Sequence, residues 1–146
     1  VKPGGWFEAP EDRLKGEWLW HGEWNLGATG ISIVVHDFTG DGLADVFWAN
    51  GHDYGTFWME QTADADPAKK WIRRDVDKDW SQGHALVLAD LDGDGDQDVV
   101  TGKRKYAHTT DPGAEDAMIV LVYSFDRASG RFVRETIHMG EGDGLG

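Results

Sequence analysis

The chain contains an internal repeat. The segment HDFTGDGLADV, from His36 to Val46, recurs 53 residues later as ADLDGDGDQDV, from Ala89 to Val99. Residues outside this segment keep the same spacing. Trp18, for example, matches Trp71. A repeat of this length predicts that each copy is one structural unit, and that each unit buries its apolar surface against its neighbours.

Each copy has the residue pattern of an all-β unit. Short apolar or alternating runs are separated by Gly, Asp and Asn, which predicts strands joined by turns. The predicted strands are 31–36, 45–50, 56–61 and 71–76 in the first full copy, and 84–89, 98–103, 118–125 and 131–137 in the second. Four antiparallel strands in every copy are typical of β-propeller blades, which stack because one sheet alone leaves an apolar face uncovered.

The repeat predicts about two and a half blades within one propeller domain. Residues 1–29 fit the second half of a blade, 30–80 and 81–138 fit full blades, and 139–146 fit the lead-in to another blade. Propellers close with roughly four to eight blades. We therefore expect the chain to be a fragment of a larger propeller, or to be completed by blades from other copies.

The net charge restricts the partners that the chain can have. Acidic residues outnumber basic ones by 27 to 14, which gives a formal charge of −13 at pH 7. Such a chain repels nucleic acid and anionic membranes, so we expect neither as a partner. Apolar runs such as 118–123 are too short to span a bilayer, and the absence of cysteine excludes disulfides and thiolate metal sites. Cations are the expected partners.

The second copy carries a candidate calcium site. Asp90, Asp92, Asp94, Asp96 and Asp98 occupy alternate positions of one loop, with glycine at two positions between them. Calcium takes six to eight oxygen ligands, and the seventh position of such a loop usually contributes its backbone carbonyl. The alternative is a solvated turn, but five carboxylates in nine residues repel one another without a counter-ion.

The first copy carries a second candidate site with less charge. Asp37, Thr39, Asp41 and Asp45 supply side-chain oxygens, and Leu43 stands at the backbone-carbonyl position. Magnesium prefers a rigid octahedron and keeps its waters, so an oxygen-rich loop fits calcium better. The sequence therefore predicts two Ca²⁺ sites.

The two acidic segments resemble a known repeat. DFTGDG at 37–42 and DLDGDG at 90–95, each after an apolar strand and before Asp-Val, are similar to the FG-GAP or VCBS-type repeat. The resemblance implies calcium-binding propeller blades like those of integrin α-subunits, and a secreted or cell-surface protein. Members of the family include adhesion modules, lectins, polysaccharide lyases and a sugar dehydratase, so the resemblance does not determine an activity.

Two further loops hold candidate ligand-binding residues. His52 and Tyr54 follow the second strand of the first copy, and Tyr106 and His108 occupy the equivalent place in the second. Histidine and tyrosine suit general acid-base work, and the neighbouring basic residues suit an acidic sugar. The alternative is a set of solvated loop residues.

These features leave three functions open. The first is a non-catalytic, calcium-stabilised module that binds glycans or proteins outside the cell. The second is the propeller of a carbohydrate-active enzyme, a polysaccharide lyase or sugar dehydratase, with its site at the histidine and tyrosine loops. The third is a structural protein that assembles through open sheet edges.

The tryptophans divide into two groups. Those that recur at matching positions predict packing between blades, and those outside the repetition are candidates for an exposed binding surface. The first group is Trp6, Trp18, Trp58 and Trp71, and the second is Trp20, Trp24, Trp48 and Trp80.

Overall fold

The fold is all-β. The computed structural model describes residues 4–27, 32–104 and 109–140, which contain ten strands and no helix. None of these residues therefore belongs to a helix that could cross a membrane.

The strands form one hairpin and two four-stranded sheets. The hairpin pairs β1 (Trp6–Glu8) with β2 (Leu19–His21). The first sheet contains β3 (Ile33–His36), β4 (Asp45–Ala49), β5 (Tyr54–Gln61) and β6 (Trp71–Ser81). The second contains β7 (Gly83–Ala89), β8 (Asp98–Lys103), β9 (Met118–Asp126) and β10 (Arg131–Gly140). In both sheets, strands adjacent in sequence pair antiparallel, which confirms the predicted blades.

The last strand of the first sheet extends beyond its predicted end at residue 76. Residues 77–81 are rich in Asp and Lys, which have low intrinsic preference for strands. Their pairing is nevertheless maintained, with Asp77 opposite Thr56 and Ser81 opposite Tyr54. Contacts with the second sheet explain the extension, because the side chain of Asp77 is bonded to that sheet.

The two sheets pack face to face around an aromatic core. Phe47 and Trp58 come from the first sheet, and Leu121 and Tyr123 come from the second. Phe47 and Leu121 are fully buried. Burying such side chains is the main stabilising contribution to a stack of sheets.

A polar network crosses this core. The Trp80 indole N–H donates to the Tyr123 hydroxyl at 2.7 Å, and that hydroxyl donates to Asp77 Oδ2 at 2.7 Å. Arg134 of β10 donates to the same carboxylate oxygen at 2.9 Å. Burial and the neighbouring Asp77 both raise the pKa of Tyr123. The network fixes how the two sheets are aligned, because each member needs its partner in place.

The other face of the first sheet forms a second core. Trp48 and Phe57 are buried there together with Leu26, which lies in the segment after the hairpin. Trp24 of the same segment meets Trp71 edge to face, with ring centroids 4.6 Å apart.

Glu23 attaches the hairpin to the first sheet. Its carboxylate accepts hydrogen bonds from Trp71 at 2.9 Å, from Lys70 at 2.8 Å and from Trp6 at 3.2 Å. Burial alone would raise the pKa of Glu23, but these donors outweigh it and lower the pKa to about 2.

The grouping of the tryptophans is wrong at three positions. Trp48 is fully buried and Trp80 is 4% exposed, although both were expected at the surface, whereas Trp18 is 47% exposed. The two faces of each sheet contact different neighbours, so a core residue of one sheet needs no matching residue in the other. Trp48 corresponds to Thr101, for example.

Candidate metal-binding loops

The two acidic loops occupy the same place in the two sheets. Residues 37–44 connect β3 to β4, and residues 90–97 connect β7 to β8. Each loop is followed at once by the aspartate that opens the next strand, Asp45 or Asp98. The repeated segment of the sequence therefore forms the same connection in both sheets, between the first strand and the second.

The first loop folds around Asp37. The amides of Gly40 and Gly42 donate to its two carboxylate oxygens, at 2.8 Å each. Both glycines have positive φ, +77° and +87°, a conformation that residues with a Cβ seldom adopt. Although burial acts to raise the pKa of Asp37, the backbone N–H donors lower it overall.

The second loop repeats this geometry around Asp90. The amides of Gly93 and Gly95 donate to its two oxygens at 2.8 and 3.1 Å. The glycine φ angles are again positive, +80° and +94°. Both loops thus hold their first carboxylate in the same way, which keeps that side chain on the inner side of the loop.

The ninth position of each loop is buried. Asp98 accepts a hydrogen bond from the amide of Leu91 at 3.0 Å, as Asp45 does from Phe38 at 3.1 Å. Asp45 also accepts from the amide of Gln61 at 2.9 Å. Burial raises the pKa of Asp45 to about 6, although these amides act to lower it. These carboxylates fasten each loop to its sheet.

Three carboxylates converge in the second loop. One oxygen from each of Asp90, Asp92 and Asp94 lies within 4.8 Å of the others, on the exposed surface of the loop. The donors are hard, negatively charged oxygens on a tight turn, which is the ligand chemistry that calcium requires. Asp90, Asp92 and Asp94 therefore fit the predicted ion.

The side chain of Asp96 pairs with an arginine and does not belong to this group of three carboxylates. Its carboxylate forms two hydrogen bonds with Arg127, at 2.6 and 2.7 Å. Its amide donates to Asp94 Oδ1 at 2.8 Å, and in the first loop the amide of Leu43 donates to Asp41 at the same distance. With the Asp96 side chain engaged, its backbone carbonyl is the group left for an ion, as expected at the seventh position.

The first loop has two carboxylates fewer than the second, at the positions of Asp92 and Asp96. Thr39 stands where the second loop has Asp92, and its hydroxyl lies 3.4 Å from Asp37 Oδ1. Among the described residues, only the second loop brings three acidic side chains within ligand distance. The first loop is therefore the weaker candidate, because its smaller negative charge attracts a cation less strongly.

The histidine and tyrosine loop lies beside the segment 109–117. His52 Nδ1 is 2.9 Å from Asp111 Oδ2, and the Tyr54 hydroxyl donates to Asp116 at 2.6 Å. The hydrogen bond with Asp116 raises the pKa of Tyr54. The rings of His52 and His84 are 5.7 Å apart. Tyr106 and His108 lie outside the described residues, so their predicted place in this site stays a prediction.

Two further residues lie at the same end of the second sheet: Arg104, which belongs to the basic run predicted to suit an acidic sugar, and Gln82, which the sequence did not indicate. Gln82 is 1% exposed, its side-chain Nε2 has no hydrogen-bond partner, and it has the positive φ of +59°. Arg104 directly follows β8, whose Lys103 pairs with Gly83, and its buried Nε and Nη2 atoms have no hydrogen-bond partner. In the sequence, only the basic run at 103–105 pointed to this place. Gln82 and Arg104 are 22 positions apart, so no local pattern links them.

A family comparison accounts for the repeat. A model of the FG-GAP-like repeat matches residues 16–101, which is more than half of the chain. Among curated proteins and among solved structures, no significant match is found.

Proposed function

The chain belongs to the FG-GAP-like repeat family, and from this premise we propose that it is a calcium-stabilised β-propeller module of an extracellular protein. The observation that carries the proposal is the convergence of Asp90, Asp92 and Asp94 in a loop whose hydrogen-bonded frame recurs in the first sheet. FG-GAP repeats are typical of extracellular or surface proteins. Millimolar calcium outside cells matches the affinity of extracellular calcium modules, about 10⁻⁴ to 10⁻³ M.

Calcium acts here as a structural ion. At millimolar concentration each site stabilises the folded chain by about 0.4 to 1.4 kcal/mol. Two bound ions also offset part of the chain's formal charge of −13. Both ions do so at the same end of the sheets. The second site binds more tightly than the first, because Thr39 replaces a carboxylate.

Isothermal titration of the metal-free protein with calcium tests the proposal. We expect two ions per chain, and one ion after Asp92→Ala with Asp94→Ala. Glu11→Gln with Glu17→Gln is the matched control, because it removes two exposed charges far from either loop in sequence and should leave two ions bound. Equal calcium binding by the loop variant and the control would contradict the proposal.

The end of the second sheet near His52 supports a ligand-binding role. We propose that it binds a glycan that carries a carboxylate group. The support comes from the N–H donors of Arg104 and Gln82, which are buried without acceptors, since unpaired buried donors carry a free-energy penalty that a ligand oxygen would relieve. The Nε and Nη2 atoms of a guanidinium match the two oxygens of a carboxylate.

Binding of uronate-containing and neutral oligosaccharides by the protein tests this role. We expect uronates to bind more tightly, and Arg104→Lys to remove most of that preference, because lysine lacks the paired donors. Arg13→Lys, at an exposed position, is the control. Equal binding of both sugar classes would contradict the role. Breakdown of the uronate chain that is lost in His52→Ala would instead favour the enzyme.

A further inference from the structure

A polar cleft of about 890 Å³ lies between the two four-stranded sheets, at the end that carries the acidic loops. Its walls come from β5 and β6 of the first sheet, from β9, β10 and the turn between them in the second, and from Thr39 of the first acidic loop. His52 lies in the turn between β4 and β5, at the opposite end of the first sheet. The cleft is therefore separate from the place proposed to bind a uronate.

The basic residues in the lining of the cleft are all arginines. The chain has seven arginines and seven lysines, and among the described residues four of the arginines but none of the lysines line the cleft: Arg73, Arg74, Arg127 and Arg131. The same lining includes two acidic residues, Glu60 and Asp75. In a chain with a formal charge of −13, this local excess of positive charge attracts anions.

Both acidic residues of the lining are already paired. Glu60 accepts a hydrogen bond from Arg74 Nε at 2.6 Å, and Asp75 forms an ion pair with Lys78. Arg131 is exposed and forms no ion pair with any carboxylate in the part of the chain that the structure describes. The chain has 27 acidic residues and 14 basic ones, so the cleft keeps a positive charge that the protein itself does not neutralise.

Two further guanidinium groups are held in fixed positions. Arg127 binds Asp96 through Nη1 and Nη2, at 2.6 and 2.7 Å. Arg74 binds Glu60 through Nε and Nη2, and its guanidinium lies 5.8 Å from the centroid of the Trp58 ring. These contacts use neither Arg127 Nε nor Arg74 Nη1. A ligand that reaches these groups does not have to order the side chains first, which lowers the entropic cost of binding.

The buried part of the lining is aromatic. The rings of Phe125 and Phe132 are 5.0 Å apart, and they meet Trp58 edge to face at 5.3 and 5.6 Å. Phe125 and Phe132 are only partly buried. An apolar group that contacts these two rings would be removed from water, which is favourable. The lining therefore favours a charged group carried on an organic molecule over a free ion.

The arrangement of the arginines favours a tetrahedral anion. The fork of one guanidinium matches the two oxygens of a carboxylate. In this cleft the arginines come from three elements, since Arg74 belongs to β6, Arg127 to the turn after β9, and Arg131 to β10. An anion with three or more oxygens in different directions can accept hydrogen bonds from more than one of them. Sulfate and phosphate groups have this shape.

We propose that the cleft binds a sulfate or phosphate group carried on a small organic molecule. Arg131 supplies the unpaired positive charge, and Arg74 and Arg127 supply further N–H donors. The carrier of the anionic group contacts Phe125 and Phe132. This inference goes beyond calcium binding and uronate binding, and rests on neither.

Calorimetric titration with 4-nitrophenyl sulfate and 4-nitrophenyl phosphate, at constant ionic strength in millimolar calcium, tests the proposal. We expect one molecule to bind per chain, and Arg131→Gln to bind about tenfold more weakly while its melting temperature is unchanged. Arg13→Gln is the matched control, because Arg13 is exposed in the loop between β1 and β2. The ester that binds more tightly identifies the preferred group.

Two further probes separate the parts of the proposal. We expect 4-nitrobenzoate, with a planar carboxylate on the same ring, to bind more weakly than the better ester, and equal binding would overturn the choice of a tetrahedral group. Inorganic sulfate should bind about tenfold more weakly, because it lacks the contact with the phenylalanines, and equal affinity would overturn the organic carrier. Failure of both esters to bind, or equal weakening by Arg131→Gln and Arg13→Gln, overturns the whole proposal.

Discussion

Arg127, in the turn between β9 and β10, forms a paired ion contact with Asp96 of the second acidic loop, at 2.6 and 2.7 Å. The same guanidinium lies against the first loop, since a Cβ on Gly40 would be 3.2 Å from Arg127 Nε. One cation thus stands beside both clusters of carboxylates. Arg127 offsets part of the repulsion that calcium is proposed to relieve.

Replacement of this arginine should increase the effect of calcium. Arg127→Gln leaves the carboxylates less balanced, so the calcium-free protein should lose stability, by less than about 1 kcal/mol because the pair is half exposed. The rise in melting temperature on adding calcium should then be larger than in the original protein. Thermal melting with and without calcium measures both. A smaller calcium effect in the variant would show that Arg127 supports the ion instead of competing with it.

The glycines of the loops should resist substitution for conformational reasons alone. Gly93 has a φ of +80°, and nothing lies within 4 Å of a Cβ added there, so Gly93→Ala should cost about 1 to 2 kcal/mol through backbone strain. Gly4→Ala is the control, because its nearest neighbour would be 3.9 Å away and its φ is outside the positive region. Urea unfolding measures the difference. Equal stability of the two variants would argue against the described loop conformation.

The attachment of the hairpin β1–β2 to the first sheet should weaken at acid pH, because it depends on the ionised carboxylate of Glu23. Its pKa falls from 4.5 to about 2 on folding, so the ionised carboxylate stabilises the protein fully above pH 4.5 and loses this effect as the pH falls toward 2. Glu23→Gln should lower the free energy of unfolding at pH 7 by about 1 to 2 kcal/mol, which is less than the pKa shift alone corresponds to, because solvent screens this partly exposed carboxylate.

Urea unfolding at pH 7, 4 and 2.5 tests this dependence. The difference between the original protein and Glu23→Gln should shrink at pH 2.5, whereas Glu17→Gln, at an exposed position, should match the original protein throughout. A difference that stays constant down to pH 2.5 would contradict the proposed role of the ionised carboxylate.

The hydrogen-bond network between the sheets should contribute more to the free energy of unfolding than an exposed hydrogen bond does. Tyr123→Phe leaves the buried Trp80 N–H without its acceptor and removes the donor to Asp77, so we expect a loss of about 1 to 3 kcal/mol. Tyr54→Phe removes a hydroxyl bonded to Asp116 at an exposed position and should cost less. The two variants are compared by thermal melting. A smaller loss for Tyr123→Phe would mean that the network does not hold the sheets together.

The sequence predicted the sheets and the loops because both depend on local patterns. Strands follow from apolar alternation, and the loops follow from Asp and Gly at fixed spacing, so the strand 98–103 matches β8 in full. The frame of hydrogen bonds around Asp37 and Asp90 needs only residues within the same loop. Such features can be inferred before the fold is known.

Contacts between distant segments could not be predicted in this way. His52 meets Asp111 across 59 positions, and Arg127 meets Asp96 across 31. No spacing rule links such pairs, because they depend on how the sheets stack. The burial of Trp48 and Trp80 was missed for the same reason.

Crystals grown in millimolar calcium would test the central proposal most directly, through the anomalous signal of calcium. We expect a peak among Asp90, Asp92 and Asp94, about 2.3 to 2.6 Å from their oxygens, and a weaker one in the loop around Asp37. Well-ordered carboxylates in both loops, with no anomalous peak between them, would contradict the account.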